Sequence, residues 1–381
     1  MNDKEVKILA YYLPQFHEIP ENNKWWGKGF TEWVNVKKAI PLFDGHKQPR
    51  IPLNDNYYDL NNIEVMRWQA NLARNNGMYG FCFYHYWFDD KPLLEKPLIN
   101  YLNADDIHFP YCFCWANESW TNGWAKADSS IIMEQKYGSE MEWKKHFEFM
   151  LPFFNDERYI KENNMPLLVI YRPYLFNNMQ KMLEYWKELA KEKGFSGLKI
   201  ASQRFEEPQQ YKNLYDYLDY HILYEPRNPV RVKNISDKTN LSKVVRSKIH
   251  DFLYKKFNVD LSFHQKKNGP VLYDYDDMWN IILQRQHDEK TIAGAFVNWD
   301  NTPRHARRGS VYVGASPEKF EYYMKKQIRN VKENYNNKYL FLFAWNEWGE
   351  GGILEPDKEN GFDYLNAIKK ALECEKNANI V

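Results

Sequence analysis

The sequence lacks a long apolar run, a large complement of cysteines and a large net charge of either sign. Its 381 residues include four cysteines, and 52 Lys and Arg balance 51 Asp and Glu to a net charge of +1. It contains no run of about 18 apolar residues, the length needed to cross a bilayer. The near-zero charge argues against nucleic-acid binding, which normally needs a strongly basic domain. Because the first six residues are polar and lead directly into an apolar strand, we expect no signal peptide and a cytoplasmic location.

The few cysteines also exclude two classes of structure. Cys82, Cys112 and Cys114 fall inside apolar, strand-like runs, and Cys374 falls near the C-terminus. A zinc site needs clustered ligands, and a disulfide framework is typical of small secreted chains. We therefore expect reduced core cysteines, no metal site and no cofactor.

Aromatic residues, by contrast, are in surplus. They make up 17% of the chain, with 14 Trp and 28 Tyr, although the hydrophobic fraction is an ordinary 44%. Sugars offer apolar C–H faces and hydroxyl edges, and Trp and Tyr match both with a flat ring and a polar atom. The surplus favours a carbohydrate cleft, with an aromatic core or interface as the alternative.

Short apolar runs rich in β-branched and aromatic residues alternate with segments of helical periodicity, as in βα units around a parallel sheet. Eight candidate strands can be counted: Lys7 to Tyr12, Gly80 to Tyr84, Tyr111 to Cys114, Leu167 to Tyr171, Leu198 to Ala201, Tyr220 to Tyr224, Ile292 to Val297 and Leu340 to Ala344. Helical periodicity appears in five stretches: Asn62 to Asn75, Trp143 to Phe154, Asn178 to Lys193, Pro317 to Glu333 and Tyr364 to Lys376. Because such barrels take roughly 200 to 400 residues, we predict an α/β fold with a single (β/α)8 TIM barrel over residues 1–381.

Polar, aromatic and acidic side chains recur past the predicted carboxyl end of every strand, where a barrel places its active site. Loop composition alone would favour Gly, Ser, Asn and Lys. We predict substrate contacts from a set of these side chains: Tyr12, Gln15, His85, Tyr86, Trp115, Asn117, Glu118, Trp120, Tyr171, Arg172, Glu225, Asn298, Trp299, Asn346 and Trp348. The alternatives are packing for any one tryptophan, a helix N-cap role for Glu118, and a buried, hydrogen-bonded supporting role for His85. Arg304, Arg307 and Arg308 suit a phosphate or a carboxylated sugar, or form a solvated charge run.

Two glutamates after the last predicted strand have no evident structural purpose. An apolar run from Tyr339 to Trp345 ends abruptly in Asn-Glu-Trp-Gly-Glu-Gly-Gly. If the backbone turns helically there, Glu347 and Glu350 project from one side of the barrel mouth. Acetal cleavage needs one carboxyl to protonate the leaving oxygen and another to support charge or attack at the sugar carbon. We therefore predict that these glutamates are the catalytic pair, with a solvated acidic loop as the alternative.

Two long segments interrupt the βα repeat. Residues 13–61 carry Trp25, Trp26 and Trp33 and are predicted to form an ordered lid over one side of the mouth. Residues 226–270 are polar and rich in Lys and Arg, with few acids. One interpretation of this basic insertion is a solvated segment with a short helix near Lys243 to Phe257. The other is contact with a phosphate-bearing partner or, peripherally, with a membrane surface.

The motif around the two glutamates resembles a known family. The run NEWGEG (346–351) resembles the catalytic motif of glycoside hydrolase family 99, the endo-α-mannosidases and endo-α-mannanases. Further segments look still more like the WbsX-type proteins of bacterial polysaccharide gene clusters: AYYLPQFH (10–17), GFTEW (29–33), GH (45–46), QPR (48–50) and WANE (115–118). The likeness extends from about residue 7 to residue 365 and implies the same barrel.

The resemblance also implies roles for the glutamates. In the mannosidases the first motif glutamate acts as a base on the substrate's own 2-hydroxyl, giving an anhydro-sugar intermediate, and the second is the general acid and base. By position, Glu347 would be the base and Glu350 the proton donor. Gly349 departs from the family pattern, because the mannosidases usually carry a histidine there that contacts substrate. The identity of the sugar therefore stays open.

Three functions compete at this point. The carboxylate pair favours a retaining, endo-acting glycoside hydrolase on an α-linked, mannan-like or surface-polysaccharide glycan, either free or attached to a lipid or diphosphate. The basic insertion favours a glycosyltransferase of O-antigen or capsular polysaccharide biosynthesis. Against the transferase, the chain has no Asp-x-Asp motif in a Rossmann-like setting and no Gly-rich phosphate loop. An inactive glycan-binding protein is the third possibility, which the intact glutamate pair disfavours.

Overall fold

The computed structural model describes residues 5–122, 130–203, 212–227 and 269–377. Within these ranges the parallel strands of a closed barrel follow in chain order: β1 (Lys7–Tyr12), β2 (Gly80–Phe88), β3 (Tyr111–Trp115), β4 (Met165–Ile170), β5 (Lys199–Ser202), β6 (Tyr220–Ile222), β7 (Thr291–Phe296) and β8 (Tyr339–Phe343). Each strand pairs in parallel with the next one along the chain, and β1 pairs with both β2 and β8, which closes the barrel. The predicted (β/α)8 fold is confirmed.

The helices surround the barrel or lie over its mouth. In chain order they are α1 (Pro20–Trp26), α2 (Glu32–Lys38), α3 (Ile63–Asn75), α4 (Lys96–Leu102), α5 (Glu140–Asn155), α6 (Met179–Glu192), α7 (Lys212–Tyr217), α8 (Tyr275–Leu283), α9 (Thr302–His305), α10 (Pro317–Asn334) and α11 (Asp363–Asn377). All five predicted helices are present. α5 begins three residues before the predicted start at Trp143, because Ser139 and Glu142 form a capping box there.

Strand β2 is longer than predicted. It continues beyond Tyr84 to Phe88, because its last residues leave the barrel edge and pair antiparallel with Lys91–Leu93. His85, Tyr86 and Trp87 therefore lie within a strand and not in a loop after it. Successive side chains of a strand point to opposite faces, so these three residues cannot all face the barrel mouth.

The insertion at residues 13–61 separates β1 from α3 and contains α1, α2 and a short 3₁₀ helix at Leu53–Asp55. Its Trp33 packs on Trp348, which follows β8, with ring centroids 5.4 Å apart, and on Phe16 of the same insertion at 4.5 Å. Of the basic insertion predicted at 226–270, residues 228–268, with the helix predicted near Lys243 to Phe257, lie outside the described residues. Its contact with a phosphate-bearing partner or a membrane stays a prediction.

The four cysteines form no disulfide, and Cys82, Cys112 and Cys114 are buried in β2 and β3. Among the helices of the described ranges, none has the length and apolarity needed to span a bilayer. In the same part of the chain, no cluster of three or more His, Cys, Asp or Glu side chains is arranged to hold a metal ion.

Stacked aromatic rings join two helices to the barrel in the layer between the strands and the helices. Trp279 on α8 is fully buried. Its ring stacks on Phe296 of β7, with centroids 5.1 Å apart, and on Tyr323 of α10, with centroids 5.4 Å apart. Stacked rings add to the burial of apolar area, so this tryptophan fixes two helices to the barrel.

We expect Trp279→Ala to lower the free energy of unfolding by about 3–5 kcal/mol, because it leaves a cavity between two stacked partners. The matched control is Trp68→Ala on α3, where the tryptophan is 36% exposed and the loss should stay within about 1 kcal/mol. Urea unfolding followed by circular dichroism measures both values. Equal losses in the two variants would contradict this account of the core.

Candidate active site

A cavity of about 310 Å³ opens at the carboxyl ends of the barrel strands. The first insertion, the strand ends and the α9 segment all contribute to its wall. Its lining includes Gln15, Trp26, Phe30, Glu32, Tyr84, Tyr86, Glu118, Trp120, Tyr171, Arg172, Tyr224, Arg227, Arg304, His305, Glu347 and Glu350. The cavity therefore combines aromatic walls with several carboxylates and guanidinium groups.

The chain after β8 forms a tight hairpin and not the helical turn expected from the sequence. Asn346–Glu347 pairs antiparallel with Gly352–Ile353, and the Glu350 amide donates to the Glu347 carbonyl at 3.1 Å. Gly351 has a φ of +73°, and a Cβ there would lie 2.8 Å from the Asp300 amide nitrogen. The glycines thus allow a reversal at close range that keeps both glutamates at the mouth.

A single arginine contacts both glutamates. Arg304 approaches Glu347 Oε2 at 3.2 Å and Glu350 Oε1 at 3.0 Å, and its Nε donates to Glu32 Oε1 at 2.7 Å. Only 16% of the Arg304 side chain is exposed. The planar guanidinium has enough donors in fixed directions to serve several carboxylates at once. Glu347 and Glu350 are therefore brought together on one buried cation.

Gly349 provides the space for this contact. A Cβ at Gly349 would lie 2.3 Å from Glu32 Oε1 and 2.8 Å from Arg304 Nε. A side chain at this position would overlap the ion pair between α2 and α9. The departure from the mannosidase pattern at Gly349 is thus accompanied by a buried ion pair in the adjacent space.

The environment of Glu347 favours its protonated form. Burial is the largest cause and raises the pKa of Glu347 above its ordinary value, while the Arg304 charge opposes the rise and the neighbouring Glu350 and Glu32 carboxylates add to it. The carboxyl therefore keeps its proton to a higher pH than a solvated glutamate does.

Six of the predicted substrate contacts line the cavity: Gln15, Tyr86, Glu118, Trp120, Tyr171 and Arg172. Gln15 Nε2 donates to the Tyr86 hydroxyl at 2.9 Å, and Arg172 pairs with Glu118 at 3.1 Å. The Trp120 ring meets the Tyr86 ring edge-on at 5.4 Å. These pairs fix the directions of polar groups in the wall.

The alternation along β2 separates Tyr86 from its neighbour His85. Tyr84 and Tyr86 face the cavity, whereas His85 points outward to α5, where its Nε2 lies 2.7 Å from His146 Nε2. Burial lowers the pKa of His85 to about 3, so this imidazole is neutral. Trp115 also points outward and packs on His146. Neither predicted contact, His85 nor Trp115, lines the cavity.

Glu225 also points away from the cavity. Its carboxylate accepts from Arg285 at 2.9 Å, beyond α8, and burial raises its pKa to about 7 against the pull of that arginine. Its neighbours Tyr224 and Arg227 line the cavity in its place. Arg227 lies over the Trp299 ring, 5.3 Å from its centroid.

The remaining predicted contacts support the loops of the mouth from behind. Their bonds join Tyr12 to Gln69, Asn117 to the Arg172 backbone, Asn298 to the Trp299 amide, Trp299 to Ser310, Asn346 to the Leu13 backbone and Trp348 to Glu355. None of the six side chains appears in the described lining of the cavity. Asn117 and Asn346 do, however, hold the backbone of Arg172 and Leu13, which line it.

Two buried acids that sequence reasoning missed organise this support. Glu355 accepts from Gln69 at 2.6 Å, Trp348 Nε1 at 2.7 Å and the Tyr58 hydroxyl at 2.8 Å. Burial raises its pKa to about 7. The apolar setting of Trp345 and Trp348 gave no sign that their indole N–H groups need a common acceptor.

Asp300 is the second of these acids. Its carboxylate accepts from His46 Nε2 at 2.8 Å and from Gln48 Nε2 at 2.6 Å, both in the first insertion, and from the Thr302 hydroxyl at 2.6 Å. Its amide donates to the Glu350 carbonyl at 2.8 Å. His46 of the GH segment and Gln48 of the QPR segment are therefore joined to the glutamate hairpin through Asp300. These two polar segments were the sequence signal that a buried acid such as Asp300 is needed nearby.

Comparison with known proteins agrees with this architecture. Residues 8–368 match the family model described as Glycosyltransferase WbsX. An uncharacterized protein, WxcX, from two strains of Xanthomonas campestris pv. campestris is 33% identical over 369 residues, covering 96% of this chain and 49% of the relative. The chain thus spans about half the length of the curated relatives it matches.

Solved structures share the fold at low identity. The GH99 endo-alpha-mannosidase from Bacteroides thetaiotaomicron, in complex with bis-tris propane, is 13% identical with a TM-score of 0.56 and 98% coverage of both chains. A glycoside hydrolase-like protein is 11% identical with a TM-score of 0.55, covering 97% of this chain and 94% of the other. These likenesses show the barrel, and the family match confirms the resemblance found in the motifs. The chain belongs to the Glycosyltransferase WbsX family.

Proposed function

We propose that this chain is a glycan-acting enzyme, a retaining and endo-acting glycoside hydrolase that cleaves an α-linked, mannan-like or surface-polysaccharide glycan. The observation that carries the proposal is the contact of Glu347 and Glu350 with the same buried arginine inside an aromatic cavity. Endo action and the α linkage come from the likeness of the motif and fold to the endo-alpha-mannosidases.

Each glutamate has a distinct part in the proposed reaction. Glu347 takes the proton of the sugar's 2-hydroxyl, and that oxygen attacks the anomeric carbon while Glu350 protonates the departing glycosidic oxygen. Water then opens the anhydro-sugar, with Glu350 accepting the water proton and Glu347 returning its proton to the 2-oxygen. Two inversions at one carbon give overall retention. A raised pKa supports the first role, because a carboxylate with a higher pKa is a stronger base.

The cavity wall supplies the binding groups that this reaction needs. Trp26, Phe30 and Trp120 offer flat apolar faces for sugar rings, and Gln15 and Tyr86 offer polar atoms for hydroxyl edges. A sugar that fills the cavity excludes water from the Arg304 contacts and so strengthens them.

A transferase of polysaccharide assembly is the second candidate. The name of the family favours it, and so do Arg227 and Arg304 in the cavity wall, since guanidinium groups suit the phosphates of an activated sugar donor. A glycan-binding protein without turnover remains the third, and the intact glutamate pair argues against it.

We expect Glu347→Gln and Glu350→Gln each to lower kcat by about 10²-fold or more, because each removes a proton-transfer group. The measurement is the release of new reducing ends from a panel of α-linked glycans, run beside a panel of sugar nucleotides. Glu140→Gln, an exposed glutamate at the start of α5, is the matched control and should retain full activity. Release of a nucleoside diphosphate without new reducing ends would contradict the hydrolase proposal and support the transferase.

The pH dependence of kcat/KM should report the ionisation of Glu347. A general base must be ionised, so kcat/KM should rise with pH along a limb that lies above the ordinary range of a glutamate, because burial raises this pKa. Since the Arg304 charge lowers the pKa, Arg304→Gln should move the limb to still higher pH, and Arg304→Lys should move it less. Initial rates at low substrate concentration over a pH series measure the shift.

The control for the pH series is Arg329→Gln, which breaks the pair with Glu375 on the outer helices and should leave the limb in place. A kcat/KM that falls with rising pH through the same range would indicate that Glu347 is the acid and Glu350 the base. A limb that does not move in Arg304→Gln would show that the arginine does not control the ionisation.

A further inference from the structure

A second cavity of about 480 Å³ lies beside the candidate active site. Its wall is formed by the end of α2 with the residues after it and by the segment from α9 to Arg308. Arg304 and His305 line both cavities, so the two are contiguous. We call this second cavity the basic groove.

The charges in the basic groove are of one sign. Lys38, Arg307 and Arg308 are exposed in its wall, and no carboxylate is among the described residues that line it. Lys38 and Arg307 form no ion pair with the part of the chain that the structure describes. Two other exposed lysines, Lys47 and Lys91, are by contrast paired with Glu359 and Glu21.

These cations converge from distant parts of the sequence. Lys38 ends α2 in the first insertion, and the two arginines follow α9 after β7. α2 and α9 are held in contact by the buried pair of Glu32 and Arg304, which joins residues 272 apart in the chain. A solvated charge run would explain two adjacent arginines, but it does not explain a lysine brought to them by a buried ion pair.

The field of the groove extends to His305. Burial is the main cause that lowers the pKa of His305, the Glu350 charge opposes it, and the charges of Arg304, Arg227 and Arg308 lower it further. His305, which lines both cavities, is therefore acted on by the carboxylate of Glu350 and by three guanidinium groups. An anionic group bound there would leave the rest of its molecule free to enter the acidic cavity.

We propose that the basic groove binds a phosphate or diphosphate group carried by the glycan whose sugar occupies the cavity of Glu347 and Glu350. A diphosphate carries several charges and acceptor oxygens and so suits three converging cations better than a single carboxylate does. Ile40, 64% exposed, and Leu42 lie in the same wall and offer an apolar contact to a carrier attached beyond the phosphates. The assignment of the sugar to the neighbouring cavity rests on the proposed function.

The test is a calorimetric titration of the whole chain with inorganic diphosphate, farnesyl diphosphate, uridine diphosphate and glucuronate. The groove variant is Lys38→Gln/Arg307→Gln/Arg308→Gln. The charge-matched control is Lys144→Gln/Lys181→Gln/Lys191→Gln, which removes three exposed lysines from α5 and α6 on the outside of the barrel. We expect the groove variant to bind inorganic diphosphate at least ten-fold more weakly than the wild type, and the control to bind it within two-fold.

The three diphosphate ligands distinguish the carrier. Tighter binding of farnesyl diphosphate that Ile40→Gln reverses identifies a lipid carrier, tighter binding of uridine diphosphate identifies a nucleotide, and equal binding identifies the diphosphate itself as the recognised group. Each of these results supports the proposal. It is overturned if the wild type binds no diphosphate at millimolar concentration, if the groove variant binds like the control, or if glucuronate binds more tightly than diphosphate.

Binding is measured without turnover, so the result does not depend on the reaction. The double variant Glu347→Gln/Glu350→Gln should lose activity and still bind inorganic diphosphate, because it removes only negative charge from the neighbouring cavity. If this variant binds diphosphate more tightly than the wild type, and the added groove substitutions do not weaken that binding, the anion is held by Arg304 among the former glutamates and the groove is overturned. Absence of hydrolysis in a wild type that binds diphosphate would instead contradict only the proposed hydrolase.

Discussion

The guanidinium of Arg304 is the constraint on which the candidate site depends. It is buried among Glu32, Glu347 and Glu350, so one positive charge faces three carboxylates. Burial is the main reason that the pKa of Glu347 rises despite the arginine, and the excess negative charge of the cluster adds to the rise. Removal of the cation would leave buried charges unpaired, the costly case for any buried ion pair. The same side chain therefore sets both the geometry and the ionisation of the glutamates.

This arginine also joins the first insertion to the barrel. Glu32 belongs to α2, whereas Arg304 belongs to α9, and Gly349 leaves room for them to meet. Asp300 repeats the connection through His46 and Gln48, and Glu355 fixes the back of the hairpin. Buried polar groups cost free energy unless every one is satisfied, so these networks admit few alternative loop arrangements. Three buried acids, Glu32, Asp300 and Glu355, thus accept the hydrogen bonds that hold the loops of the mouth together.

The cavity and the basic groove divide the mouth into two electrostatic halves. Carboxylates concentrate around Glu347 and Glu350, and the exposed cations Lys38, Arg307 and Arg308 line the basic groove, with Arg304 at the boundary. The cavity and the groove share Arg304 and His305 in their walls. A molecule with a neutral sugar at one end and an anionic group at the other can therefore contact both. Specificity would then come from the order of the two groups along the substrate as well as from the sugar itself.

The sequence by itself determined the barrel, because eight apolar runs and their intervening helical periods need only local spacing to be recognised. It also singled out Glu347 and Glu350, whose position after the last strand is a chain-order property. Only the tertiary structure decided that Tyr86 and not His85 faces the cavity, since β2 continues past its predicted end and strand alternation separates neighbours. It alone also brought Glu32 and Arg304 together, because their contact joins residues 272 apart and leaves no periodic trace in the sequence.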